Sequence, residues 1–251
     1  MIRRLLALIG AVALLSACGK KAPEPPIVVE QAITVEKIID TVVNNDEQFR
    51  DLSFATVIQG VTGTTVLPVD TTDPATAAIL DATATALDQI LTEFNRPESP
   101  TLAETRINEV STHFEDSLQR KLDTTPGITC DFPVTKSGKT QRSGYPDLRI
   151  VHQNTGTVAY LDPKLVAQGS LGTTFRTFYY TPKGETNKVL DHALHLLVGI
   201  EHDGNSGNWQ FLHWTLVDLS NLRIRLKTEF QTGNRELYQS ENIIRTDAQS
   251  R

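Results

Sequence analysis

Cysteine is scarce in this chain: Cys18 and Cys130 are the two thiols in 251 residues. Two thiols allow at most one bridge and cannot build a cysteine-rich metal centre. No G-x-S-x-G elbow occurs, which removes hydrolase chemistry of that type. There is no G-x-x-x-x-G-K-[ST] phosphate loop either, because residues 60–65, GVTGTT, lack the lysine. Long apolar runs are missing too, and the one at residues 5–15 is too short to span a bilayer comfortably. A strongly basic balance is also absent, since the formal net charge is −6. Residues 19–100 hold 5 basic and 13 acidic residues, whereas residues 101–251 hold 17 of each. A polyanion would therefore be met by local clusters: Lys136, Lys139, Arg142 and Arg149, or Arg223, Arg225 and Lys227. What is present is 39% hydrophobic residues, enough to build the core of one good-sized domain with appendages.

The first residues carry an address. Arg3 and Arg4 form a positive start, residues 5–15 an apolar run, and Leu15-Ser16-Ala17-Cys18 a small-residue cleavage site ending in cysteine. This resembles a bacterial lipoprotein signal peptide, spanning residues 1–17. The resemblance implies that Cys18 is the lipidated first residue of the mature chain. It also implies a cell-envelope location, held to a membrane and facing the periplasm or exterior. Cys130 is then single. Residues 18–29 are a Pro- and charge-rich tether.

Residues 30–97 read as a mainly helical extension, and residues 98–251 as the main domain. Apolar residues at Ile33, Val35, Ile38, Ile39 and Val42 predict a helix over 30–51. Residues 54–69 are β-branched and Gly-broken, either a strand pair or an extended arm. Asp73-Pro74 opens a helix that runs to Phe94. Thr101 and Glu104 have the spacing of a capping box and predict a helix through Leu122, with Ile107, Val110, Phe114 and Leu118 inward. Residues 128–134 read as a strand, 135–144 as a polar loop, 175–181 as an aromatic strand, 187–201 as a helix and 209–219 as a strand. Residues 222–241 are mixed and end in a helix. This order gives an α/β or α+β fold, a sheet between helices.

Residues 143–165, SGYPDLRIVHQNTGTVAYLDPKL, carry the chemistry. Two short apolar runs flank Asn154-Thr155-Gly156, a turn signal, so the stretch reads as a β-hairpin. Folding it about residues 154–155 sets Asp147 opposite Asp162, and the spacing of Asp162 and Lys164 projects both from one face of a strand. Magnesium takes one or two carboxylates plus water and substrate phosphate. A lysine beside it can orient or deprotonate an attacking water, or stabilise charge in a phosphoryl-transfer transition state. An Asp–Lys pair at an ordinary hairpin end is the plainer alternative. His192, His195, His202 and Asp203 form a weaker metal candidate and read rather as helix-surface or core residues. His213 reads as packed in its strand. Trp209, Trp214, Tyr179 and Tyr180 could stack on bases, but their pattern fits half-buried strand residues.

Pro146-Asp147 and Asp162-Pro163-Lys164 on consecutive strands resemble the PD-(D/E)XK nuclease superfamily, the restriction-endonuclease-like fold. The order helix, three strands, helix, strand over residues 101–217 is similar to its core. The stretch at 219–238 looks like the C-terminal part of some type II restriction enzymes. The resemblance implies a mixed sheet flanked by helices and Mg2+-dependent (or Mn2+-dependent) hydrolysis of DNA. Asp147, Asp162 and the Pro163 carbonyl would hold metal, and Lys164 would serve the water. Glu109 would add a carboxylate from the first core helix, with Glu115 as its rival. Asp162 stands where Glu is commoner, and Pro163 removes a ladder donor while keeping its carbonyl. Many enzymes of this fold act as homodimers, and no interface is legible here. A binding or structural envelope module on the same fold is the alternative function.

Overall fold

The computed structural model describes residues 34–170, 172–173, 178–182, 184–227, 229 and 231–245. The signal-like start, Cys18 and the tether lie outside the described residues. The chain divides into two units at Asn44/Asn45. In the first, helix α1 (Val35–Asn44) is shorter than the pattern over 30–51 predicts, and Val35, Ile38, Ile39 and Val43 on it are exposed.

The second unit, Asn45–Arg251, is built on a six-stranded mixed sheet. Its strands are β2 (Val66–Leu67), β3 (Ile128–Asp131), β4 (Leu148–His152), β5 (Val158–Ala167), β6 (Ala193–His202) and β7 (Phe211–Asp218). A separate pair joins β1 (Leu52–Ser53) to β8 (Arg223–Ile224). β3, β4 and β5 form an antiparallel meander, and β5 then pairs in parallel with β6 over nine positions, Ala159↔Leu194 through Ala167↔His202. Along its other edge β6 takes β2 in parallel and β7 in antiparallel.

One face of the sheet packs on two helices, α3 (Pro74–Phe94) and α4 (Ile107–Asp123). Ile79, Leu87, Ile90 and Phe94 from α3 meet Val110, Phe114, Leu118 and Leu122 from α4 over Leu148, Ile150, Leu161, Leu196 and Val198. At the centre, Phe114 meets Phe94 and Phe211 edge-on at centroid distances of 4.8 and 4.7 Å. The other face is covered by helix α2 (Phe54–Thr62) and an aromatic cluster of Phe54, Tyr145 and Tyr160, with Ile58 and Val189. Residues 45–97, read from sequence as part of an extension, thus belong to the same compact unit as the sheet.

Local chemistry explains the boundaries. Asp73 caps α3 by accepting from the Thr76 backbone N–H at 2.8 Å, and Pro74 sits at the first helical position. Residues 54–62, left open between strand pair and arm, form α2, which Ser53 caps and Gly63 ends at φ +76°. The capping box at Thr101 does not form. The Glu104 carboxylate goes to His113 at 3.2 Å, its carbonyl accepts from Trp209 Nε1 at 2.6 Å, and α4 opens six residues later.

The largest correction concerns 187–201, which is not a helix: residues 193–202 are strand β6. A central strand buried on both faces has no polar alternation. Ala193, Leu194, Leu196, Val198 and Ile200 are all buried, so the run mimics a helical stripe. Of the predicted strand at 175–181, residues 175–177 lie outside the described residues and 178–181 carry no strand. The C-terminal helix is a single short turn, Asn234–Leu237.

Two outcomes test this packing. Phe114→Ala should lower the unfolding free energy by about 3–5 kcal/mol in urea titration, as truncation of a fully buried Phe does. His195, fully buried on β6, has its pKa lowered to about 4 by burial. Unfolded histidine titrates near 6.5, so the unfolded chain takes up a proton first as pH falls. Stability is therefore fullest above pH 6.5 and drops by about 3 kcal/mol on the way to pH 4. His195→Asn should flatten that part of the curve.

Candidate active site

The site forms where β4 begins and β5 outruns it. β4 pairs β5 only from Leu148↔Leu161 to Val151↔Val158, so the hairpin register predicted from sequence is the one observed. Its turn closes with His152 donating to the Thr157 carbonyl at 2.9 Å and Gly156 at φ +73°. Beyond Leu161, β5 continues with β6 as its one neighbour among the described residues. An open edge is where a strand tolerates proline, and this accounts for Pro163 inside a strand of the central sheet.

Alternation along β5 turns Ala159 and Leu161 into the helical core and Tyr160, Asp162 and Lys164 to the opposite face. Asp147 arrives on the segment before β4, which is pinned by Tyr145. The Tyr145 ring stacks on His195 and meets Phe54 and Phe178 edge-on, and its hydroxyl is 2.6 Å from His195 Nδ1. The Tyr145–Pro146 peptide is cis.

Asp147 and Asp162 are 8% and 1% exposed. The Lys164 ammonium lies 3.3 Å from Asp147 Oδ2, 3.2 Å from the Pro163 carbonyl and 2.5 Å from Asp162 Oδ2. The last contact is a close ion pair between the Lys164 ammonium and the buried Asp162 carboxylate. Burial, and next the charge of Asp162, push the Asp147 carboxyl well above the usual carboxylate range, against the pull of Lys164. For Lys164, burial works to lower the pKa, and the charges of Asp162 and Asp147 outweigh it, so the ammonium is held protonated. Two buried carboxylates and the Pro163 carbonyl gather around Lys164, and the charge of buried Lys188 acts on both acids; this is an oxygen donor set of the kind a divalent cation takes.

The sequence-predicted residues divide clearly. Asp147, Asp162, Pro163 and Lys164 come together. Glu109 does not join them: it sits in the first turn of α4, half-exposed, 3.8 Å from Arg106. Its rival Glu115 is coupled to them through charge and does not complete a three-carboxylate cluster. Burial raises the Glu115 pKa, Arg142 opposes this with a 2.9 Å ion pair, and the carboxylate feels the charges of Asp147 and Lys164. The two glutamates are six residues apart, about 9 Å along the helix axis. Among the described residues no three His, Cys, Asp or Glu side chains gather into a ready metal cage. The arrangement is instead an acid pair with a carbonyl, the sparse oxygen set magnesium accepts when water and phosphate complete the shell.

One charged neighbour escaped the sequence. Lys188 is 2% exposed, and its ammonium donates to the carbonyls of Gln141 at 3.0 Å and Arg142 at 3.4 Å. Burial lowers its pKa against the pull of Asp147, Asp162 and Glu115. The histidines have other partners. His192 Nδ1 accepts from the Thr65 N–H at 2.9 Å, His202 Nδ1 accepts from the Gly204 N–H at 3.0 Å, and His195 is inside the aromatic cluster. His213, read as packed, is exposed because its side of β7 faces solvent. Trp209 is buried, Trp214 bonds Asp88 at 2.8 Å, Tyr180 packs on Phe54 and Tyr145, and Tyr179 is exposed.

The family model described as type II restriction enzyme MjaV family matches residues 47–241. The type II restriction enzyme MjaV of Methanocaldococcus jannaschii is 28% identical over 204 residues, covering 77% of this chain and 87% of that protein. No solved structure matches the chain. The family match takes in the hairpin, the sheet and the helices packed on it, well over half of the sequence, and the chain belongs to the type II restriction enzyme MjaV family.

Proposed function

We propose that this protein is a metal-dependent endonuclease that hydrolyses DNA phosphodiester bonds. The observation that carries the reading is the buried Asp147–Asp162 pair gathered on Lys164 where the β4–β5 hairpin ends. Membership of a restriction-enzyme family supports the substrate. Asp147, Asp162 and the Pro163 carbonyl would hold Mg2+ or Mn2+, with Glu115 rather than Glu109 as the carboxylate nearest to join them. Bound there, the ion supplies Lewis-acid stabilisation of the phosphate and acidity to water.

The chain's own groups do the rest. Lys164, kept as an ammonium, orients the attacking water and offsets charge gathering on the phosphate; it is a donor in the resting site, not a base. The aromatic cluster behind Tyr145 keeps bulk water from that side of Asp147. Exposed Lys136 and Lys139, on the loop leading to Asp147, are placed to meet backbone phosphates. Lys164→Ala should lower the cleavage rate by about 10²–10³-fold, the usual loss for one transition-state donor. DNA affinity in a gel-shift assay should stay close to wild type. Full activity in that variant excludes this role for Lys164.

The signal-like start supports a further proposal, that Cys18 carries lipid and tethers the enzyme in the cell envelope. Labelled palmitate should enter the full-length chain and not its Cys18→Ser variant. Equal labelling of both, or of neither, rejects the tether.

A further inference from the structure

Lys188 is a lysine with almost no solvent contact, inside a unit whose other buried charges are the two carboxylates of the candidate site. Enclosing an ammonium is expensive unless its donors are met. Here two of the three go to main-chain carbonyls, those of Gln141 and Arg142, in the loop that leads into Asp147. The same loop is tied again one residue away, where Lys136 N–H donates to the Asn187 carbonyl at 2.9 Å. Asn187 in turn fixes itself to Val189 through both its amide oxygen and its amide nitrogen. The entry to β6 thus grips the loop at residue 136 and at residues 141–142.

That grip leads directly to the site. Arg142, whose carbonyl Lys188 holds, spreads its guanidinium over the Phe132 ring at 4.2 Å and forms ion pairs with Glu115 at 2.9 Å and Asp116 at 2.6 Å on α4. Five residues after Arg142 the chain delivers Asp147. One buried ammonium therefore fixes a backbone from which both the Glu115 partner and Asp147 are hung. An apolar side chain of equal length would fill the place but leave the Gln141 and Arg142 carbonyls without this donor.

We propose that Lys188 is a positioning residue for the metal-binding carboxylates, acting through the 141–142 carbonyls to hold Arg142 on Glu115 and Asp147 beside Asp162. This rests on the two-carboxylate metal reading above and deepens it, adding a residue that touches neither metal nor substrate. Groups that orient ligands from behind commonly change metal affinity by about 10–100-fold when removed. Simple loss of a nearby positive charge would have the opposite sign, since a cation site with one fewer ammonium around it binds a cation more tightly. The direction of the change thus separates positioning from bare electrostatics.

The test is Mn2+ binding to the full chain, by titration calorimetry, for wild type, Asp162→Asn, Lys188→Met and Arg142→Met. Hydrogen exchange of residues 136–147 in the metal-free proteins accompanies it. Lys188→Met should weaken Mn2+ by about tenfold or more and speed exchange at 141–147, with the fold retained by circular dichroism. Arg142 is partly exposed, so its variant should fold even if Lys188→Met does not. It should weaken Mn2+ in the same direction, and the same result there supports the link from its outer end. Unchanged or tighter Mn2+ binding in folded Lys188→Met overturns the proposal, as does unchanged binding in Arg142→Met should Lys188→Met not fold. If wild type itself binds no Mn2+ and matches Asp162→Asn, the metal reading fails and takes this proposal with it. Failure of Lys188 alone shows instead as intact binding in wild type and in the variants of Lys188 or Arg142.

Discussion

Two carboxylates, Asp147 and Asp162, are held out of water against one ammonium, and much of the second unit serves that constraint. Like charges in a dry site repel, and isolated buried charges are costly. They persist because the sheet leaves them little freedom: Asp162 is fixed by β5 pairing with β6, and Asp147 by the Tyr145 anchor and the start of β4. The helices α3 and α4 supply the apolar mass on the far face that makes this rigidity affordable. Lys164 offsets the repulsion of the acid pair, in contact with both carboxylates.

The site sits at the point where an antiparallel meander hands over to a parallel pairing. β4 stops at Leu148 while β5 runs on to Ala167, so the strand edge beyond the hairpin is open and carries Pro163 and Lys164. A proline that would be a defect at the sheet centre is tolerated there, and its carbonyl lies beside the ammonium. The candidate residues stand on or beside strands, and exposed Lys136 and Lys139 lie on the loop that leads to Asp147. The aromatic cluster on the same face ties α2 to the site through Phe54 and Tyr145.

The hairpin was legible because its information is local. Asn154-Thr155-Gly156 gives the turn, alternation gives the faces, and the register then sets Asp147 opposite Asp162 with no knowledge of other strands. β6 was not, because a strand buried on both sides loses the period-two signal and its leucines fall by chance at helical spacing. With the helix opening at Ile107, Glu109 falls in its first turn, whereas Glu115 follows Phe114 at the middle of the buried stripe and feels the charges of Asp147 and Lys164. Lys188 had no local signal at all. It is 41 residues from Asp147, and only the return of the chain into β6 brings them together.

The central claim is that the Asp147–Asp162 pair is a metal-dependent nuclease centre. The most direct measurement is cleavage of supercoiled plasmid by the full chain in Mg2+ and in EDTA, beside the Asp162→Asn variant. The arrangement predicts cutting by wild type that needs the metal and is lost in the variant, with the variant's fold intact. Cutting that survives EDTA or Asp162→Asn, or no cutting by wild type in Mg2+ or Mn2+, would contradict it.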